Sequence, residues 1–401
     1  MERRVVITGM GAVSALGMSA RATMDAMAAG RSGISPLQFQ DVERLQIRIG
    51  GQIHGYNEAA HFSRQEIALY DRFTQFAVLA AREAVAQAGA DLAGEKSGVV
   101  LGTSGGGLQT QNDNFRKVYE EGKNRVHPFV VPRLMNNAAS SHLSMLHGMT
   151  GPSYTVSTAC ASSNHAMGQA FHMIRAGMAD TMLTGGSESM LCFGGIKAWE
   201  GLRVMSKTGC RPFSANRDGM VQGEGAAVFV FEARELADAR GAKILAEVAG
   251  FSMTSDASDI VMPNRNGAVR AMRGALSDAG LAPEDIGYIN AHGTGTLGND
   301  QTESAAIHEV FGAQAQNLPV SSTKSMHGHL IGGTGAVELL ACIMALREGI
   351  IAPTINHDQP DPACNLNVVP NLAQAAKPGA TLSNAFAFGG LNAVLALRSA
   401  L

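Results

Sequence analysis

A layered α/β fold is what this sequence predicts, and three observations carry the prediction. Short runs rich in β-branched residues alternate with stretches of helical spacing. Hydrophobic residues make up 45% of the 401, enough to build a substantial core. No Pro-rich or Ser-rich linker separates the chain into independently folding units. Taken in order, RRVVITG (residues 3–9), SGVVLGT (97–103), TMLTGG (181–186), AAVFVFE (226–232), IGYINAH (286–292) and NAVLALR (392–398) are apolar runs closed by Gly or polar residues, which is how a buried strand reads. Residues 74–88, 267–279 and 301–311 carry apolar side chains at helical spacing. A sheet with helices laid against it accommodates both patterns.

The chain also carries a faint internal echo. Val156-Ser-Thr leads toward a helix ending near Arg175-Ala-Gly177, and Val320-Ser-Ser-Thr toward one ending near Arg347-Glu-Gly349. Each reads as strand, reactive-looking loop, helix. Two common strand-to-helix units look alike by chance as readily as by duplication, so the echo alone leaves both open. A duplication would set the two loops at equivalent ends of two sheets, where α/β proteins keep their sites.

Charge and cysteine content exclude several classes. A balance of 31 basic against 34 acidic residues leaves a formal net charge of -3, with no global attraction for nucleic acid or an anionic membrane. The opening MERRVVITGMGAVSALG breaks into Gly before a signal-peptide apolar region forms, and no later run is long enough to cross a bilayer. A soluble, cytoplasmic protein is expected. The five cysteines (160, 192, 210, 342 and 364) are scattered without CxxC spacing, which argues against a disulfide framework and a zinc site.

Four segments bear on chemistry. Gly9-Met-Gly11 lacks the full GxGxxG and its acidic partner, so its glycines read as a tight turn rather than a nucleotide loop. Ser157-Thr-Ala-Cys160 follows the extended residues 154–156 and precedes a helical run over 166–176. Cys160 thus falls near a helix N-terminus, where unpaired N–H groups favour a thiolate, lower a free thiol pKa of about 8.5 and can hold an oxyanion. A small buried core Cys is the competing reading. Asn290-Ala-His292-Gly-Thr294-Gly-Thr296 puts His292 at a strand's C-terminal end. Asp300 and Glu303 come next, where a helix starts, which suits charge placement and orienting hydrogen bonds better than a metal. In STKSMHGH (322–329), His327 and His329 need not converge and Lys324 repels a cation, so no metal site is expected. One Cys and two His from separate strand ends make a covalent acyl-transfer set.

These segments, with Asn384-Ala-Phe-Ala-Phe388-Gly-Gly-Leu-Asn392 and RPFSANRDGMVQGEGA (211–226), resemble in order and spacing the condensing enzymes of fatty acid and polyketide synthesis, nearest the β-ketoacyl-[acyl carrier protein] synthase II type. The resemblance runs over nearly the whole chain. It implies a thiolase-like fold of two similar α/β halves in αβαβα layers, 1–240 with the nucleophile and 241–401 with both histidines, usually as a dimer. It implies that Cys160 takes an acyl group from an acyl carrier protein, and that malonyl carrier protein then loses CO₂ and attacks the acyl-Cys. His292 and His329 would stabilise the enolate as neutral N–H donors. Lys324 aligns with the family's active-site lysine and His329, five residues on, with its second histidine; His327 is then a neighbour. Backbone N–H groups of Cys160 and Phe388 would form the oxyanion hole, and Phe388 would also gate the acyl pocket. Glu338, with Asp300 and Glu303, would support the site from behind. Thr294 and Thr296 match positions that contact the phosphopantetheine arm. No bound cofactor is implied, because substrates ride on the carrier protein.

Departures from the family pattern bear on substrate. Gly105 stands where elongation synthases commonly place a branched apolar side chain that closes the acyl pocket, and Val130 replaces a bulkier aromatic. Two side chains lost from a wall predict a longer or wider pocket, open to long or stiff chains including polyenes, unless other side chains refill the space. Ala387 and Leu391 replace the common Gly and Thr of the gate loop, which predicts a stiffer gate. A stretch at 64–71 that is often basic in the family is mostly neutral or apolar, leaving Arg64, Arg125 and Lys207 as candidates for the carrier protein's acidic surface. The alternative function is therefore a specialised ketosynthase of a polyketide or aryl-polyene pathway, working as a homodimer or with a Cys-lacking homologue. A degradative thiolase would need a second Cys as acid/base where this chain has Phe388-Gly-Gly. A scaffold role would leave the reactive set without a use.

Overall fold

The computed structural model describes residues 3–400. Ten strands form its main sheet: β1 (Val5–Ser14), β2 (Ser97–Gly102), β3 (Ser153–Val156), β4 (Thr181–Glu188), β5 (Gly225–Ala233), β6 (Ala246–Ser255), β7 (Ile286–Asn290), β8 (Val320–Ser321), β9 (Ala380–Ala387) and β10 (Leu391–Arg398). Six helices position the site: α1 (Arg72–Ala88), α2 (Ser162–Arg175), α3 (Phe193–Leu202), α4 (Arg265–Ala279), α5 (Leu297–Phe311) and α6 (Thr334–Glu348).

Across the sheet the order is β8-β7-β9-β10-β6-β1-β5-β4-β2-β3. Each half therefore lays its third, second, fourth, fifth and first strands side by side. The first three of these pair in parallel and the remaining pairs are antiparallel, identically in both halves. The halves join where residues 5–7 of β1 pair with 246–248 of β6. The internal echo is thus a duplication: β3 into α2 and β8 into α6 are equivalent units.

The helices make the layers. α2 and α6 pack on each other and on strands of both halves, while α1 covers β1 and β5 and α4 covers β6 and β10. A central helix has no polar face to spare, and α6 is buried from Thr334 through Leu346. The β1 and β5 strands are buried along their whole length, which is why they read as continuous apolar runs rather than alternating ones. Asp71 caps α1 by accepting from the Phe73 N–H, and Gly89 ends it at φ +60.

The structure corrects the expected turn at Gly9 and Gly11. Both lie inside β1, where a Cβ would come 2.1 Å from the carbonyl oxygens of Ala84 and Ala80. Their task is close approach of strand to helix. β6 and β9 escaped the sequence reading because AEVAGFSMTS and ATLSNAFA mix Ser, Thr, Asn and Gly into strands that are nonetheless largely buried. Among the described residues, no helix is long and apolar enough to cross a membrane.

Candidate active site

The turn of residues 157–161 between β3 and α2 carries Cys160, 6% exposed. Ala159 adopts φ +48, a left-handed conformation costing roughly 1–3 kcal/mol in a residue with a Cβ. Hydrogen bonds hold it there: the Ser104 and Ser162 hydroxyls donate to the Ala159 carbonyl at 2.9 and 2.7 Å, and Ser162 Oγ accepts from the Thr158 N–H at 2.8 Å. The backbone N–H groups of Cys160 and Phe388 both serve the thiol. The thiol itself differs from expectation. Burial pushes it up to about 11, against the pull of the Lys324 charge and those two N–H groups. Desolvation outweighs the helix N-terminus, so the resting nucleophile is a thiol rather than a thiolate.

His329 Nε2 lies 3.1 Å from Cys160 Sγ. Its Nδ1 accepts from the Ile331 N–H at 3.1 Å, with Thr334 Oγ1 2.8 Å away. A ring nitrogen that accepts a backbone N–H carries no proton, so this network assigns the proton to Nε2, facing the sulfur. His292 stands across the cleft, its ring edge-on to His329 with centroids 5.5 Å apart. The backbone N–H groups of His292 and Gly293 each donate to Glu303 at 2.8 Å, and Asn384 Nδ2 donates to the same carboxylate at 3.1 Å. Lys324 Nζ lies 3.4 Å from His292 Nδ1 and also donates to the His292 carbonyl. His292 is thereby set as a second Nε2–H donor. Burial, reinforced by Lys324, holds both rings well below the ordinary histidine range, and both stay neutral. His327 is a neighbour: its nitrogens bond to the Gly328 carbonyl and Thr323 Oγ1, and burial lowers it to about 3.

Buried acids support these groups. Glu338, from α6, takes a hydrogen bond from Lys324 at 2.6 Å, and burial raises its carboxyl to about 7. Asp300 accepts from the N–H groups of Phe213 and Gly295 at 2.8 and 3.2 Å, and so shapes the loop bearing Thr294 and Thr296, whose hydroxyls are 2.9 Å apart. The Cys160 Sγ and one nitrogen of each histidine lie within 4.8 Å of one another, a spacing three metal ligands can share. The Lys324 ammonium beside His292 opposes a cation there.

Cys160, His292, His329, Thr294, Thr296 and Phe388 all line one cleft. Trp199 of α3 stacks on the Phe388 ring, 5.9 Å between centroids. Gly105 and Val130 do not line it. A Cβ at Gly105 would sit 2.9 Å from Met190 Cγ and 3.0 Å from its Sδ, so the thioether occupies the room a side chain there would take. The wider pocket expected from Gly105 is thus refilled by packing. Val130 is buried at the start of a short helix, Val130–Leu134. In the gate loop, the positive φ values fall at Gly389 (+84) and Gly390 (+68), so Ala387, the last residue of β9, takes no such strain. Arg64, Arg125 and Lys207 are exposed. Sequence reasoning missed Glu188, Met190 and Trp199. A lone carboxylate closing an apolar strand, and the only tryptophan of the chain, were the available signals.

Comparisons with known proteins agree with this geometry. Residues 2–237 match the family model described as "Beta-ketoacyl synthase, N-terminal domain", and residues 245–358 match "Beta-ketoacyl synthase, C-terminal domain". The chain is 46% identical, over 99% of its length, to Nodulation protein E of Rhizobium leguminosarum bv. trifolii, of which it covers 100%. It is 40% identical, again over 99% of its length, to 3-oxoacyl-[acyl-carrier-protein] synthase 2 of Staphylococcus aureus (strain COL), of which it covers 98%. The solved ishigamide ketosynthase/chain length factor is similar at a TM-score of 0.95 and 36% identity, over 100% of both chains. A Cys-His-His cleft at the ends of duplicated strands, and matches that span both halves, lead to one conclusion: this chain belongs to the β-ketoacyl synthase family.

Proposed function

We propose that the chain catalyses decarboxylative condensation of a Cys160-bound acyl group with malonyl-[acyl carrier protein], extending the chain by two carbons. The observation that carries this is the pair of neutral Nε2–H donors converging beside Sγ, each with its tautomer set by its neighbours. In the first step the Cys160 sulfur attacks the carrier thioester, its S–C bond forms, and the carrier's thiol leaves with the proton. The oxyanion rests on the N–H groups of Cys160 and Phe388. In the second, malonyl thioester loses CO₂ and the electron pair left behind becomes an enolate, held by His292 and His329. The enolate carbon then bonds to the acyl carbon, the Cys160 S–C bond breaks, and the sulfur leaves as a thiolate that takes up one proton from water to restore the resting thiol.

The remaining roles come from placement. Lys324, anchored by Glu338, adds its charge to the burial that keeps both histidines neutral. Thr294 and Thr296 receive the phosphopantetheine arm along the cleft, and Phe388, braced on Trp199, is the gate. No bound cofactor enters the cycle, and the setting is cytoplasmic. Arg64, Arg125 and Lys207 meet the acidic carrier protein.

A specialised ketosynthase of polyene or polyketide chains is the second reading, favoured by the likeness to the ishigamide ketosynthase/chain length factor. β3 is an edge strand of the sheet, that of the first half, and Phe129, Val131 and Met135 are exposed apolar side chains of the same half. An open strand edge and bare apolar side chains call for a covering chain, here a second copy or a homologous subunit. The test is product formation with malonyl carrier protein and acyl carrier proteins bearing saturated or conjugated chains, alongside native mass. Two-carbon extension by the homodimer supports the proposal; conjugated chains alone, or activity only with an added homologue, select the second reading. Acylation without any condensation overturns both.

A further inference from the structure

Glu188 is buried at the end of β4, and both of its oxygens are fully engaged. Oε1 accepts from Thr103 Oγ1 and the Gly105 N–H, each at 3.0 Å; Oε2 accepts from the Ser104 N–H at 2.7 Å and the Gly332 N–H at 3.0 Å. The donors come from two segments that lie far apart in the chain. Ser104 passes the connection to the nucleophile, because its hydroxyl donates to the carbonyl of Ala159, the residue before Cys160. Gly332 passes it to the histidine loop, since it is next to Ile331, whose N–H sets the His329 ring. The contact is too close for side chains: a Cβ at Gly332 would lie 2.5 Å from the Ser104 nitrogen and 2.8 Å from Glu188 Oε2.

We propose that Glu188 is a positioning residue for the condensation, the joint that fixes the Cys160 turn of one half to the His329 loop of the other. A carboxylate suits the place because four donors converge on two oxygens. A carboxamide offers one oxygen and one NH₂, so two of the N–H or O–H donors would face another donor. The residue touches no reacting atom. It acts by keeping Nε2 on Sγ.

Its charge supplies a second signature. The groups bearing on the Cys160 thiol are His292 and His329, both neutral, the Lys324 cation, which favours the thiolate, and the Glu188 carboxylate, which opposes it. Glu188 itself is raised to about 7 by burial, so it is ionised throughout the thiol's titration near 11. Removing that negative charge therefore moves the thiol downward in pH.

This inference rests on the condensation reading, and the test separates the two. In Glu188→Gln, kcat for condensation falls by about 10²-fold with KM for the carrier-bound substrates unchanged, as expected for misplaced reacting groups. In the same variant, the pH profile of Cys160 alkylation by iodoacetamide shifts to lower pH, a readout that needs no substrate. A wild-type protein that fails to condense removes the functional reading; an unmoved alkylation profile, or an unchanged kcat, overturns the joint. Should Glu188→Gln not fold, Ser104→Ala decides, because it cuts the link to Ala159 and leaves the carboxylate in place. A fall in its kcat at constant KM, with an unshifted profile, supports the joint, and wild-type kcat refutes it.

Discussion

The two halves of the molecule share a strand order and differ in the connection that leaves the third strand. In the first, β3 reaches α2 through residues 157–161, with Ala159 at φ +48, a value that Ile331 repeats in the second half. In the second, β8 runs into residues 322–333, with a helical turn at Lys324–His327 and a 3-10 turn at Ile331–Gly333 before α6 begins. The short turn places one sulfur atom at a helix start. The long one carries Lys324, His327 and His329 into the interior and finds a partner for each: Glu338, Thr323 and Thr334. A duplicated scaffold has divided the work, with the nucleophile on the tight side and charge and N–H donors on the roomy one.

That division breaks most sharply at its nucleophile. Cys160→Ala should lower condensation by more than about 10⁴-fold in a product assay. CO₂ release from malonyl carrier protein should persist in that variant, because its donors belong to the other half. His329→Ala reverses the pattern. Decarboxylation should fall by about 10²–10³-fold, the cost of one preorganised donor, while Cys160 still accepts an acyl group on a slower time course. Lys324→Ala tests the support beneath. It leaves Glu338 buried without its cation, and the denaturation midpoint should report a loss of about 3–5 kcal/mol, partly recovered in Lys324→Met, Glu338→Leu.

A pH titration of stability probes both halves together. Three buried histidines, 292, 327 and 329, refuse in the folded state the proton that an unfolded histidine takes near 6.5, so each costs stability as pH falls below that value. Glu188 and Glu338 act oppositely: raised from 4.5 to about 7, they take up a proton first in the folded state and add stability as pH falls through that window. Below 4.5 these two acids are protonated in both states, the histidine cost persists, and carboxylates held low by arginines, Glu247 and Asp361, add their own loss. Melting temperature should therefore fall gently between pH 6.5 and about 4.5, where three histidines oppose two acids, and drop steeply from there toward pH 3, where His327 titrates. The smallest effect concerns substrate. Met190→Ala vacates the room beside Gly105 and should shift acyl preference a few-fold toward longer chains, read by competition between carrier-bound acyl groups.

Much of this division was legible in the sequence. Cys160 and His292 stand in short loops bounded by readable strands and helices, so local pattern brought them to strand ends, while the choice of His329 over His327 came from the family resemblance. Properties that depend on distant parts of the chain were not. The thiol of Cys160 looked lowered because the helix start is local, whereas the groups that crowd it, His329 and the gate loop, lie far away in the chain. Gly105 looked like an opening because Met190, 85 positions on, is invisible to a reading of the loop itself. β9 was obscured by Ser383 and Asn384; the core accepts Asn384 through its bond to Glu303. Glu188 carries no motif at all; only the fold shows two halves meeting on it.

The central claim, that Cys160 on one half is served by N–H donors from the other, is tested most directly by intact mass. Wild type, Cys160→Ala and His329→Ala are each incubated with acyl carrier proteins bearing short saturated, long saturated and polyene chains, then with malonyl carrier protein. The account predicts an acyl adduct on wild type and on His329→Ala, none on Cys160→Ala, and discharge of the adduct by malonyl carrier protein in wild type alone. An adduct on Cys160→Ala, or discharge at the wild-type rate from His329→Ala, would contradict it.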